Sequence, residues 1–290
     1  MFFQKIRDMD KRTFLKRTGG LLVAGVGAGF TGIQRMEAVT VATKANEAQP
    51  YPLYDLHVHR SQSQTLEQIV EKARDKGIEM FGVMENCGAW GVRSNEDLEK
   101  YINEVKGADC FIGLQPVVIG WSKNLDQRLL NQIDYVLMDP QYMPNSNKYG
   151  DMAQLWDHNC YVDDAEDFME RHVKYYLEVI HNPEPLTILG WPLFLPPCLG
   201  RDYYRLWNKE RMEQIIEAAR QRGIAIEIND LAHTPHAEFI LMAKKAGLKF
   251  TFGSDTRDER TFRLDFCKQI ADLCGLTRDD FYIPVKKPRR

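Results

Sequence analysis

Seven short apolar runs rich in β-branched and aromatic residues recur along the chain, each followed by a longer amphipathic segment. The runs are 52–57, 78–84 (IEMFGVM), 111–118 (FIGLQPVV), 134–138 (DYVLM), 186–190 (LTILG), 224–229 (IAIEIN) and 248–253 (LKFTFG). Short runs of this kind mark strands, and apolar residues three and four apart over longer windows mark helices. The helical windows are 65–76, 94–106, 124–132, 164–181, 208–221, 235–246 and 259–274. Gly77, Gly223 and Gly247 each end a helical window just before a strand, as helix-terminating glycines do. Repeated strand–helix alternation implies a parallel sheet, either a closed barrel or an open doubly wound sheet. No GxGxxG or P-loop follows the first strand, so the nucleotide-binding open sheet loses its main support. The expected fold is α/β, a distorted TIM-like (β/α)7 barrel forming a single domain over residues 51–277.

Residues outside that span read differently. Residues 1–30 place a basic segment (Lys11, Arg12, Lys16, Arg17) before a glycine-rich apolar run, Leu21–Phe30. That run is too short to span a membrane and has the length of a signal-peptide core. DKRTFLK resembles a twin-arginine export signal, with Lys11 in place of the first arginine. The expectation is export to a bacterial periplasm, with cleavage near Ala42 and no stable membrane span after the signal is removed; a frayed basic helix is the plain alternative. Residues 31–50 read as a disordered tether, and residues 278–290, ending KKPRR, as a solvated basic tail.

Composition narrows the function classes. A chain of 290 residues, 44% hydrophobic, supplies one large core, and a net charge of −3 offers no electrostatic argument for a nucleic-acid partner. The six cysteines are scattered without a CxxC pair, which argues against a zinc knuckle or thioredoxin-like motif and leaves disulfides open if the chain is exported. The loops 139–163 and 191–207 are long and aromatic, and read as ordered lids over the open end of the barrel.

The strand ends carry the chemistry, because substrate-facing residues of a βα barrel sit at the C-terminal ends of its strands. In order, these ends hold His57 and His59, Glu85 and Asn86, Gln115, Asp139 or Gln141, Trp191, Asn229 and Asp255. His57 and His59, two residues apart, leave the same face of a strand and can converge on one ion. Barrel closure would bring Asp255 beside them. Two imidazoles and a carboxylate suit Zn²⁺, Mn²⁺ or Fe²⁺ over Ca²⁺ or Mg²⁺. Each signal also has a plain structural reading. The histidines can be satisfied by backbone groups, Asp255 can cap a helix starting near Glu259, and Glu85 can pair with Arg93.

LYDLHVHRSQSQTLEQIVEKARDKGIEMFGVMEN resembles the start of the polymerase-and-histidinol-phosphatase (PHP) family: Asp-x-His-x-His, a helix, then a strand ending in an acid–histidine pair. GIAIEINDLAHTPHAEFILMAKKAGLKFTFGSDTR resembles that family's EIN strand and closing GSDxH, so the resemblance runs in order over residues 53–275. It implies a distorted seven-stranded barrel and a metal-dependent phosphoesterase with a site for up to three metal ions. His57, His59 and Asp255 match family ligands. The acid–histidine pair is here Glu85-Asn86, the bridging glutamate is Gln115, Asp139 or Gln141 stands where a histidine is expected, GHP reads Gly190-Trp191-Pro192, and the last histidine of GSDxH is Arg257. The resemblance therefore implies one preserved ion position, built from His57, His59 and Asp255 with Glu85 or Gln115 in support.

The expected function is a hydrolase using one divalent ion to activate water, a phosphoesterase acting on a small, phosphorylated substrate. Glu85 or Asp139 would take the water's proton. Arg257, with Arg60 or Arg201, would hold an anionic oxygen, unless Arg257 instead pairs with Glu227 or Asp258. Asn86, Gln141, Trp191 and Asn229 would face the substrate, and His158 and His233 would reach in from loops. Two alternatives stand beside this: an amidohydrolase-like amide or ester hydrolase, and a catalytically degenerate barrel binding a small polar ligand such as a sugar.

Overall fold

A computed structural model of the protein describes residues 50–145 and 151–289. The expected signal, its cleavage site, nearly all of the tether and residues 146–150 of the 139–163 loop lie outside the described residues. Seven parallel strands form one sheet: β1 Tyr54–His59, β2 Met80–Cys87, β3 Phe111–Pro116, β4 Tyr135–Met138, β7 Ile188–Leu189, β8 Ala225–Asn229 and β9 Phe250–Gly253, in the spatial order β1-β2-β3-β4-β7-β8-β9. A hairpin of β5 Tyr142–Pro144 and β6 Met152–Gln154 follows β4. The sheet nearly closes into a barrel. At its C-terminal end, β1 meets the segment after β9 through a Val58–Thr256 bridge and a 2.8 Å bond from Asp255 N–H to the His57 carbonyl.

The helices start where their caps allow. Thr65 and Ser94 form capping boxes with Gln68 and Asp97, opening α1 Leu66–Asp75 and α2 Asn95–Val105. α3 Gln127–Leu130 is a single turn, shorter than the expected 124–132, because Asp126 caps it late. α4 Ala165–His181, α5 Tyr203–Leu206, α6 Lys209–Arg222 and α7 Ala237–Lys245 follow. The last helix, α8 Asp265–Leu273, also starts late: Phe262 has φ 64°, which no helix accommodates. Past α6, Gly223 has φ 63° and closes the helix in the left-handed conformation.

Strand alternation divides the core. Inward residues Leu56, Met84, Phe111, Tyr135, Leu137, Ile188 and Ala225 fill the barrel. Tyr135 lies over Gly82 and Gly113, where an added Cβ would collide with its hydroxyl and its ring, and its hydroxyl donates to the Leu56 carbonyl. Outward residues pack under the helices in two larger clusters.

One sequence expectation changes here and another is qualified. Residues 191–207 are no lid: Leu193, Leu195, Leu199, Leu206 and Trp207 are buried in the largest cluster. The C-terminal segment is exposed at residues 283 and 285–288, as a solvated tail would be, but it is also anchored. Phe281 packs against Tyr51 and Phe252, and Asp134, buried at the base of β4, accepts from Lys287 N–H and from the Arg289 guanidinium. A buried carboxylate needs such partners, and the basic tail supplies them. All six cysteines are unpaired.

His172 on α4 is fully buried among Phe168, Tyr176 and Trp207, with ring centroids 4.8–5.7 Å away. Its Nε2 lies 3.3 Å from the Phe194 carbonyl, which suits a neutral ring donating there. Burial pushes its pKa down to about 3. Between pH 6.5 and that value the unfolded chain binds the extra proton, so stability falls as pH drops through the window, by up to about 1.4 kcal/mol per pH unit. Urea midpoints of wild type and His172→Phe, measured from pH 7 to 5, are expected to diverge, with wild type losing more. Parallel curves would contradict a buried neutral histidine.

Candidate metal centre

β1 delivers two histidines to the mouth of the barrel, and the turn after β9 delivers a carboxylate. His57 Nε2 lies 3.2 Å from Asp255 Oδ1, and His59 Nε2 lies 3.7 Å from the same oxygen. The three donor atoms fall within 4.8 Å of one another, and all three residues are buried. Neither Nε2 has a hydrogen-bond partner. Buried polar atoms are rarely left without one. Two such nitrogens converging on one carboxylate oxygen fit a divalent cation.

His57 is oriented from behind. Its Nδ1 lies 2.6 Å from Glu227 Oε1, both side chains being fully buried. A proton on Nδ1 shared with this carboxylate leaves the Nε2 lone pair facing Asp255, the arrangement in which histidines ligate metals. Gly253 makes room: a Cβ there would sit 2.0 Å from Glu227 Oε1 and 2.7 Å from the His57 Cβ. Burial alone would lower the His57 pKa, but the Asp255 and Glu227 carboxylates raise it to about 9. His59 goes the other way, held well below the ordinary histidine value by burial, the Arg257 guanidinium and His57. A cation bound here would compete with a proton for His57.

The sequence offers Glu227 only as a possible partner of Arg257, whereas it pairs with His57 and Arg257 lies beside Asp255. The signal for Glu227 was alternation: Ile226 and Ile228 pack outward, so the acid between them faces the barrel interior.

Alternation also separates Glu85 from the cluster. It shares the face of Val83 and Cys87, which pack outward under α1 and α2, while Asn86 faces inward. Arg60 likewise turns outward, paired with Glu104 at 2.9 Å and lying over the Tyr101 ring. Asn86 donates to Gln115 Oε1 at 2.7 Å, and Gln115 Nε2 donates to Asp139 Oδ2 at 2.8 Å, forming a polar chain across β2, β3 and the end of β4. Asp139 is buried, and burial pushes its pKa up to about 7 against the pull of His57.

Gln141 and Trp191 contact each other: Gln141 Nε2 donates to the Trp191 carbonyl at 3.1 Å. Asn229 Oδ1 accepts from Ala232 N–H, bracing the loop after β8. Arg257, 47% exposed, lies 3.4 Å from Asp255, whereas Asp258 pairs with Arg260. Asp255 itself, at φ 45°, caps no helix. His158 is half-exposed beside Asp157, His233 stacks on Phe266 with centroids 4.9 Å apart, and Arg201 is exposed on the 3-10 turn Pro197–Asp202. None of these last three joins the His57–His59–Asp255 group.

No protein-family model matches the sequence, and no curated protein matches it. Among solved structures, the chain is similar to histidinol phosphate phosphatase from Lactococcus lactis subsp. lactis Il1403, complexed with zinc, L-histidinol and phosphate. The two share 17% identity over 79% of this chain and 95% of that one, with a TM-score of 0.55. A chain of archaeal ribonuclease P with mature tRNA (11% identity, 82% and 99% covered) and the HpcH/HpaI aldolase from Desulfitobacterium hafniense DCB-2 (12%, 78% and 94%) give TM-scores of 0.38 and 0.34. The first likeness supports the barrel fold; the other two carry no argument.

Glu227→Gln is expected to weaken Zn²⁺ binding about 10–100-fold, because it removes the carboxylate that orients His57. Glu85→Gln is expected to leave it unchanged. Competition with a chromophoric chelator measures both, and the reverse order would place the ion elsewhere.

Proposed function

We propose that the protein is a metal-dependent phosphoesterase holding one divalent ion, Zn²⁺, Mn²⁺ or Fe²⁺, between His57, His59 and Asp255, and acting on a small phosphorylated substrate. The observation that carries this reading is the pair of buried, partnerless imidazole nitrogens facing one carboxylate oxygen. The likeness in fold to a zinc-bound phosphatase supports it. A divalent ion in such a place supplies Lewis acidity to a phosphoryl oxygen and acidifies a water.

The chain's own residues would do the rest. Arg257, beside Asp255 at the mouth and half in solvent, offers a planar donor fork to a phosphate oxygen. Asp139 keeps one oxygen on Gln115, leaving the other to take or return a proton near neutral pH. Asn86 and Gln115 hydrogen-bond each other where the PHP pattern has an acid–histidine pair and a glutamate, which favours a ligand set reduced to a single ion. The basic, glycine-rich N-terminal stretch supports an exported, periplasmic setting for this activity.

A second reading, a barrel that binds a small polar ligand without turnover, is favoured by the same Asn86–Gln115–Asp139 chain, in which amides occupy strand ends that an active enzyme would furnish with ligands. Hydrolysis of a panel of small phosphomonoesters, including histidinol phosphate, separates the two. Wild type is expected to release phosphate only with divalent metal, to stop on chelation, and to lose at least about 100-fold in rate as Asp139→Asn. His59→Ala is expected to be inactive. Metal bound without phosphate release would favour the binding barrel, and equal activity in His59→Ala would exclude this site.

A further inference from the structure

Trp191 stands at the end of β7 in a conformation that a bulky residue adopts only under constraint, φ 41°. Five hydrogen bonds hold it there, one of them the 3.3 Å bond from Phe194 N–H to the Trp191 carbonyl. Its backbone N–H donates to Glu227 Oε2 at 2.8 Å. Its carbonyl accepts from Gln141 Nε2 at 3.1 Å and from the Tyr176 hydroxyl at 3.2 Å. Its indole Nε1–H donates to Asp255 Oδ2 at 2.7 Å. The Tyr176 hydroxyl in turn accepts from Leu193 N–H at 3.0 Å, so both ends of the turn are tied to α4.

An aromatic residue that merely filled space would need only its packing against Phe194, with centroids 4.9 Å apart. Trp191 instead contacts both carboxylates that matter at the centre, each on the oxygen turned away from the histidines. Glu227 uses Oε1 for His57 and Oε2 for Trp191; Asp255 turns Oδ1 toward the histidines and gives Oδ2 to the indole. The indole is a donor only and cannot ligate a cation.

We infer that Trp191 is the positioning residue of the metal centre: it engages the second oxygen of Asp255, making that carboxylate a one-oxygen ligand, and it steadies the glutamate that orients His57. The inference rests on the proposed metal site and deepens it. Two imidazoles and one carboxylate oxygen leave positions on a divalent ion open to water and to a substrate oxygen, whereas a carboxylate closing with both oxygens would fill one of them. Gln141 and Tyr176 belong to the same device, since they fix the strained turn that aims the indole.

The test is titration of the metal-free protein with Co²⁺, followed by calorimetry and by visible absorption. Wild type is expected to take up one Co²⁺. Trp191→Phe, which keeps a ring and removes the donor, is expected to bind about 10-fold or more weakly. Its Co²⁺ bands are expected to lose intensity as Asp255 closes with both oxygens and the coordination number rises. Tyr176→Phe, remote from the ion, is expected to shift affinity the same way by a smaller factor, and it decides the matter if Trp191→Phe does not fold. Wild-type affinity and spectrum in whichever of these variants folds would overturn the positioning role. Wild type failing to take up Co²⁺ at all would instead overturn the metal reading on which it rests.

Discussion

The contact between His57 Nδ1 and Glu227 Oε1, 2.6 Å apart and out of solvent, joins the first strand of the barrel to the eighth across the ninth. It exists because Gly253 on that ninth strand has no side chain to separate them. A buried histidine–carboxylate pair is costly to assemble unless every other atom of it is also engaged. Here the second glutamate oxygen accepts from Trp191 N–H, while the second imidazole nitrogen faces His59 and Asp255. The polar layer at the barrel mouth is thus a connected system, and the two imidazole Nε2 atoms are among its buried atoms without a hydrogen-bond partner.

Beneath that layer the barrel is filled by Tyr135, Phe111, Met84 and aliphatic residues. The division follows from strand ends: lower positions point into a space no water reaches, and upper positions open toward the loops. Asp139, raised to about 7, sits at the boundary between the two, buried enough to resist charge and close enough to the mouth to exchange a proton. The same architecture explains how the large Trp191 ring is accommodated. The ring leaves the narrow seam at β7, where Gly190 approaches Leu137, and reaches across to the turn after β9.

Much of this was legible beforehand, and for identifiable reasons. The seven strands and the helices between them were visible because their apolar periods differ, and misjudged helix starts fall where Asp126 and Phe262 impose local geometry. His57, His59 and Asp255 were legible because two-residue spacing and strand-end position leave few options. Glu85 and Arg60 illustrate the limit: each is adjacent to an inward-facing residue, and a one-position change in alternation reverses the face. Glu227, the single acid of its strand, was legible as a charged residue but not as the partner of His57. The bond from the Trp191 indole to Asp255 was not legible, since 64 residues separate the two in sequence. The same holds for the tail, whose acidic partner Asp134 lies about half the chain away.

The central claim, one divalent ion held by His57, His59 and Asp255, is tested most directly by anomalous scattering from crystals grown with Zn²⁺ and measured on both sides of the zinc edge. The account predicts a single strong difference peak between His57 Nε2, His59 Nε2 and Asp255 Oδ1. A peak centred on the Asn86–Gln115–Asp139 chain, or none at the barrel mouth, would contradict it.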